Sequence, residues 1–203
     1  VKQLPLFAFL LHRVTLLVMT TVLFGACSPS YENPHILIET TLGDIEVELY
    51  PAKAPKTTAA FLKYVEAGLY KDASFYRVLK TEGVDEMSNA GFIQGGIIRT
   101  DPRRMSLLPP TEHEPTTKTG LSHTDGTISM ARVEVGSARS EFFICIGDQS
   151  PLDAGRRGSV DGQGYAAFGK VFKGMKTVRR IQAQESNGDA FTKKIGIRLI
   201  RKL

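Results

Sequence analysis

The 203-residue chain has no tryptophan, only two cysteines and only four histidines. Two cysteines, Cys27 and Cys145, leave no room for a disulfide framework. His12, His35, His113 and His123 have no metal-ligand spacing, and no His–Cys or His–Ser pairing is evident along the chain. Neither a metal nor a cofactor is therefore expected. No dense Lys/Arg run with interleaved aromatics occurs, so the net charge of +5 does not point to nucleic acid. The apolar run Val14–Phe24 falls short of the roughly 20 residues that a membrane-spanning helix needs. Gly155–Gly164 is glycine-rich but lacks the spacing and the Lys-Ser/Thr ending of a phosphate-binding loop. No internal repeat and no second domain are visible. What remains is 42% hydrophobic and 23% charged, the composition of a soluble globular domain with a full core.

Residues 1–26 read as a targeting signal. Lys2 and Arg13 supply positive charge, Val14–Phe24 is an apolar core of the right length, and Leu23-Phe24-Gly25-Ala26 leads to Cys27. Small residues directly before a cysteine resemble the bacterial lipoprotein signal, in which that cysteine is lipidated and becomes the new N-terminus. Here Phe24 stands where leucine is usual. Removing Lys2 and Arg13 from the charge of +5 leaves +3. The resemblance implies a lipid anchor at Cys27, residues 27–34 as a short polar tether, and a domain over 35–203. By the same resemblance, Ser28 after the cysteine favours the outer membrane, with the domain on the periplasmic side of a bacterial envelope. Cys145, in the apolar run FFICI, reads as a buried, inert thiol.

The stretch Ser74–Ile98 organises the rest. It offers two extended runs, SFYRVL and GFIQGG, joined by a polar linker. Alternation places Phe75 and Arg77 on one face, and Phe92 and Gln94 on one face with Ile93 opposite. If the runs pair, a guanidinium, an amide and an aromatic ring meet on one surface. Around this stretch, His35–Glu39 and Asp44–Leu49 read as a hairpin, and Thr127–Arg132, Glu141–Ile146, Ala166–Phe172 and Ile195–Lys202 as further strands. Pro55–Ala67 and Met175–Gln182 have helical period. Residues 97–122 read as mostly loop, with His113 and Glu114 on a solvated surface. About eight short strands with two helices predict a mostly β, closed antiparallel barrel without exposed edges.

Several blocks, taken in order, resemble the cyclophilin family of peptidyl-prolyl isomerases. They are Ala54-Pro55-Lys56-Thr57-Thr58, Phe75-Tyr76-Arg77-Val78, Phe92-Ile93-Gln94-Gly95-Gly96 and Gly126-Thr127-Ile128-Ser129-Met130-Ala131-Arg132. Ser140-Glu141-Phe142-Phe143-Ile144, Leu152-Asp153 and Tyr165-Ala166-Ala167-Phe168-Gly169-Lys170-Val171 follow. The match runs from His35 to Leu203 and looks like the bacterial branch. It implies an eight-stranded barrel capped by two helices, acting on proline-containing segments of proteins; together with the N-terminal signal, a monomer serving proteins that fold outside the cytoplasm is expected. Arg77 matches the catalytic arginine. Phe92, Phe143, Leu152 and Tyr165 match the lining of the proline pocket, Phe92 replacing a common methionine and Tyr165 a frequent histidine. Gln94 matches the glutamine that contacts substrate and steadies the arginine, and Ala131 and Arg132 the pair whose backbone binds the peptide. Glu141, where glutamine is common, is expected to place a negative charge near Arg77, either orienting the guanidinium or drawing it from the substrate. The alternative function, a proline-peptide-binding chaperone or scaffold with little turnover, hangs on that residue. Pro151 stands where some members carry a tryptophan important for binding cyclosporin. Weak binding of that drug is therefore expected, which a nanomolar affinity would overturn.

Overall fold

In a computed structural model, which describes residues 31–203, β1 (His35–Thr40) and β2 (Gly43–Leu49) form the expected hairpin across Thr41-Leu42. Helix α1 (Pro55–Glu66) follows, with proline in its first turn, where the missing N–H costs nothing. β3 (Ala73–Leu79) and β4 (Gly91–Gly96) pair antiparallel. The segment after β4 carries two single-turn helices, α2 (Pro102–Met105) and α3 (Thr116–Thr119). β5 (Thr127–Met130), β6 (Phe142–Ile146), a 3-10 turn at Ser150–Leu152 and β7 (Ala166–Lys173) come next. α4 (Met175–Gln182), β8 (Ser186–Asn187) and β9 (Ala190–Lys202) end the chain.

The strands run in the order β1-β2-β7-β5-β6-β4-β3-β9, and β9 pairs back onto β1, closing an eight-stranded antiparallel barrel. β8 is a two-residue ribbon on the end of β9, outside that ring. Closure leaves the barrel strands without a free edge. Inward-facing Ile36, Ile38, Ile45, Val47, Ile93 and Ile144 fill the interior. Phe61 of α1 enters this core and meets Tyr70, Phe142 and Phe168 at centroid distances of 5.2, 5.6 and 5.1 Å. α4 packs on the strands through Val178 and Ile181, both fully buried.

Three features depart from expectation. The 97–122 region is no free loop. Tyr64 donates its hydroxyl to the Met105 carbonyl at 2.7 Å, and Glu114, expected in solvent, is 1% exposed. The Glu114 carboxylate accepts from the Thr57 N–H at 2.8 Å, the Thr57 hydroxyl at 2.7 Å and the Lys56 N–H at 3.3 Å. α1 has no cap from its own Ala54, so a residue 57 positions away satisfies its first amides and places a negative charge at the positive helix end. β9 also starts five residues before the predicted strand, at Ala190. Finally, Phe75 and Arg77 do not share a face: Phe75 is fully buried in the barrel and Arg77 is exposed. The β3–β4 register shifts between them, pairing Phe75 with Gly95 and Arg77 with Gln94. A bulge at Tyr76 thus re-aims the arginine outward.

The predicted signal segment and Cys27 lie outside the described residues. Of the predicted tether, Asn33 donates to Glu48 at 3.0 Å and the Pro34 carbonyl accepts from Leu49 N–H at 2.9 Å, so its last residues lie against β2.

Candidate active site

Three neighbouring strands present one surface on the outside of the barrel. β4 points Ile93 inward and Phe92 and Gln94 outward, and β6 points Phe142 inward and Phe143 and Cys145 outward. Gln94 stands opposite Phe143, and Gln94 also opposite Arg77. Phe92, Phe143 and Cys145 form an apolar cluster separate from the barrel core, flanked by Ala131, Leu152 and Tyr165. The rings of Phe92 and Phe143 lie 5.4 Å apart, and Tyr165 meets Phe143 edge-on at 5.4 Å. These walls form a small, partly open hollow lined by Arg77, Phe92, Gln94, Ala131, Arg132, Phe143, Leu152 and Tyr165. Every predicted site residue among the described residues is there except Glu141. Cys145 is fully buried in the cluster with Phe92 and Phe143, and burial pushes its thiol well above the usual range, keeping it protonated.

Arg77 sits on the rim. Its guanidinium lies over the Phe92 ring at 5.5 Å. Nε donates to Asp189 at 2.7 Å and Nη1 to Gln94 Oε1 at 3.1 Å. Of five N–H donors these bonds use two, leaving three for a ligand. Both Arg77 and Asp189 are largely exposed, so their pair orients more than it stabilises.

Glu141 is the correction. Its carboxylate touches Tyr76, not Arg77. Oε1 accepts from the Ile97 and Ile98 N–H groups at 2.7 and 3.0 Å and from the Ser140 hydroxyl at 3.0 Å; Oε2 accepts from the Tyr76 hydroxyl at 2.7 Å. The physical reason is the backbone after β4, which turns two amides onto one buried acid. A Cβ on Gly96, at φ +149°, would stand 2.4 Å from that carboxylate, so only glycine leaves it room. Burial, with Glu141 adjoining, holds the Tyr76 phenol well above its ordinary range, so it remains a donor. Tyr76 in turn accepts from Gln94 Nε2 at 2.8 Å. The line Glu141–Tyr76–Gln94–Arg77 therefore has one polarity. A carboxylate only accepts at one end and a guanidinium only donates at the other.

Ala131 and Arg132 both line the hollow. The Ala131 N–H is already donated to the Glu141 carbonyl at 2.8 Å, so of its two backbone groups the carbonyl is the one left for a peptide. The Arg132 side chain, 3% exposed, grips Asp161 through two bonds of 2.6 and 2.8 Å and the Gly164 carbonyl at 2.6 and 3.0 Å. Those bonds hold Asp161 well below the ordinary carboxylate range. Arg132 also lies over the Tyr165 ring at 5.3 Å, so it props the wall of the hollow.

Asp189 and His123 escaped the sequence reading. Asp189 follows Asn187-Gly188, an Asn-Gly hairpin signal, with Gly188 at φ 59° in the β8–β9 turn. His123 is fully buried and stacks beneath Phe143, with centroids 5.8 Å apart and 13° between planes. Its Nδ1 bonds Asp153 at 2.6 Å and its Nε2 bonds the Ser129 hydroxyl at 3.0 Å. A His–Ser pairing thus exists in space, but Ser129 is itself fully buried and cannot reach a substrate. The trio supports Phe143 from behind.

The family model for cyclophilin type peptidyl-prolyl cis-trans isomerase/CLD matches residues 35–201. The chain belongs to this family, a class of enzymes. It is 38% identical over 181 residues to peptidyl-prolyl cis-trans isomerase A of Dickeya dadantii, covering 86% of this chain and 87% of that one. It is 37% identical over 150 residues to a peptidyl-prolyl cis-trans isomerase of Acinetobacter baylyi, covering 73% and 72%. The crystal structure of a Cryptosporidium parvum cyclophilin type isomerase superimposes with a TM-score of 0.63 at 22% identity, over 84% of this chain and 98% of that one, a likeness of fold.

Proposed function

We propose that the chain isomerises X-Pro bonds in proteins folding outside the cytoplasm, with Arg77 as its catalytic group. Rotation about a peptide C–N bond breaks resonance at a barrier of about 18–20 kcal/mol. A catalyst needs only to bind the twisted amide more tightly than either planar form. In the twisted state the proline nitrogen becomes pyramidal and regains a lone pair, to which a guanidinium donates. Arginine suits this because it stays charged and its donors are fixed. Phe92, Phe143, Leu152 and Tyr165 hold the proline ring while the preceding residue rotates. The same apolar walls exclude water and strengthen the Arg77 contact. Gln94 steadies the guanidinium, and the Ala131–Arg132 backbone carries the peptide. A millionfold acceleration requires about 8 kcal/mol from these parts together.

The observation that carries this reading is the Arg77 guanidinium held by two bonds on the rim of an apolar hollow, with three donors uncommitted. In a proline tetrapeptide assay, Arg77→Ala should lower kcat/KM by about 10²–10³-fold. Comparable rates for the two proteins would remove the catalytic role. The binding-module alternative depended on a carboxylate at 141 competing for the guanidinium, and Glu141 is occupied by Tyr76 and three other donors. The envelope location follows from the N-terminal segment alone, through lipidation of Cys27. Labelling with a palmitate analogue should mark the wild type and spare Cys27→Ala; equal labelling ends that part of the proposal.

A further inference from the structure

A second hollow opens on the other side of the Arg77 guanidinium. It is roomier than the apolar one, and Arg77 belongs to the walls of both. Its other walls include Tyr76, Arg99, Asp189, Phe191 and Lys194. The charge there is unbalanced. The one carboxylate, Asp189, is taken up by Arg77 at 2.7 Å. Among the described residues no carboxylate pairs with Arg99 or Lys194. Both cations are instead held in place. Arg99 lies over the Tyr76 ring at 5.8 Å, and Lys194 donates to the Arg99 carbonyl at 2.7 Å, tying β9 to the segment after β4. The hollow is therefore a concavity with two positive groups, no free acid and an aromatic wall, joined to the apolar socket through one shared residue.

We propose that this hollow is a subsite for an acidic side chain, Asp or Glu, of the peptide whose proline fills the apolar socket. The inference rests on the isomerase reading and names a substrate class for it: X-Pro segments with a carboxylate within about four residues of the proline. An extended peptide advances about 3.3–3.6 Å per residue, so a chain crossing over Arg77 arrives beside Arg99 and Lys194 within a few residues. The ion pair with Arg77 offsets the repulsion that an incoming carboxylate would meet from Asp189. The carboxylate gains two cations whose own partners are a ring face and a backbone carbonyl. A positive concavity also raises the local concentration of acidic segments at low salt.

The test uses matched proline peptides in which one position, scanned over four residues on each side of the proline, carries Glu or Gln. Glu should raise kcat/KM over Gln by about three- to tenfold at positions on one side of the proline only, acting through KM. The ratio should shrink as ionic strength rises from about 0.05 to 0.5 M. In the double variant Arg99→Ala, Lys194→Ala the ratio should fall to near one, and in Arg99→Glu, Lys194→Glu it should invert. Equal values for Glu and Gln at every position in the wild type overturn the subsite, as does a preference that survives the double variant. Loss of the isomerase reading looks different, because then no peptide is turned over at all. Fluorescence anisotropy with the same peptide pairs still reports the Glu/Gln ratio in that case.

Discussion

Tyr76 and Glu141 carry information that Arg77 alone does not. Because the carboxylate at 141 can only accept, the Tyr76 proton points to it, the Tyr76 oxygen accepts from Gln94, and the Gln94 oxygen faces Arg77. An amide at 141 removes that constraint. Its NH₂ would donate to Tyr76, whose hydroxyl would turn to Gln94, and Gln94 would then present its own NH₂ to the guanidinium. Glu141→Gln should therefore lower kcat by about three- to tenfold, close to 1 kcal/mol in barrier, with little change in KM. Tyr76→Phe, which cuts the relay, should do the same. Both should also lower the free energy of urea unfolding by about 1–3 kcal/mol, since buried donors or acceptors lose partners. A Glu141→Gln protein with unchanged kcat would show that the relay's polarity does not matter.

At the scale of elements, the strand pattern was legible and its interruptions were not. Alternation along β4 and β6 assigns Ile93 and Phe142 inward and Phe92, Gln94 and Phe143 outward, as found. It fails at β3 because a bulge is set by how β3 pairs with β4 and β9, which no local pattern in SFYRVL records. The same limit hides long-range partners. Asp189 meets Arg77 across 112 residues and Glu114 meets α1 across 57, and each reads locally as an exposed loop acid. Glu114→Ala leaves the buried Thr57 N–H and hydroxyl without their acceptor and removes a charge from the helix start, so it should destabilise the fold by about 1–3 kcal/mol. Glu114→Gln keeps an acceptor and should recover part of the loss. Urea denaturation of the three proteins checks this, and equal midpoints for wild type and Glu114→Ala would rule out the capping role.

The whole molecule is a closed barrel whose working surface lies outside it, so the socket depends on what stands behind Phe143. That support is His123, and it links stability to binding through one proton. Burial lowers the His123 pKa below its ordinary 6.5, against the opposing pull of Asp153. Between the two values the unfolded chain binds the extra proton and the native state does not, so stability must fall as pH drops below about 6.5. Asp153 adds the same sign in a lower window. Burial raises it, but bonds from Ser122 and His123 outweigh that and hold it below 3.8, so its contribution is present above that value and is lost as pH falls through the folded one. Acidification from about pH 7.5 to 5.5 should thus reduce the free energy of unfolding, whereas KM for proline peptides should rise only at the lower pH where the native ring itself takes up the proton and disturbs its stack on Phe143. In His123→Gln, which retains polar groups toward Asp153 and Ser129 but cannot titrate, both slopes should flatten. If the variant keeps the wild-type slope in stability and in KM, some other group governs the response and the ring beneath Phe143 is only a spacer.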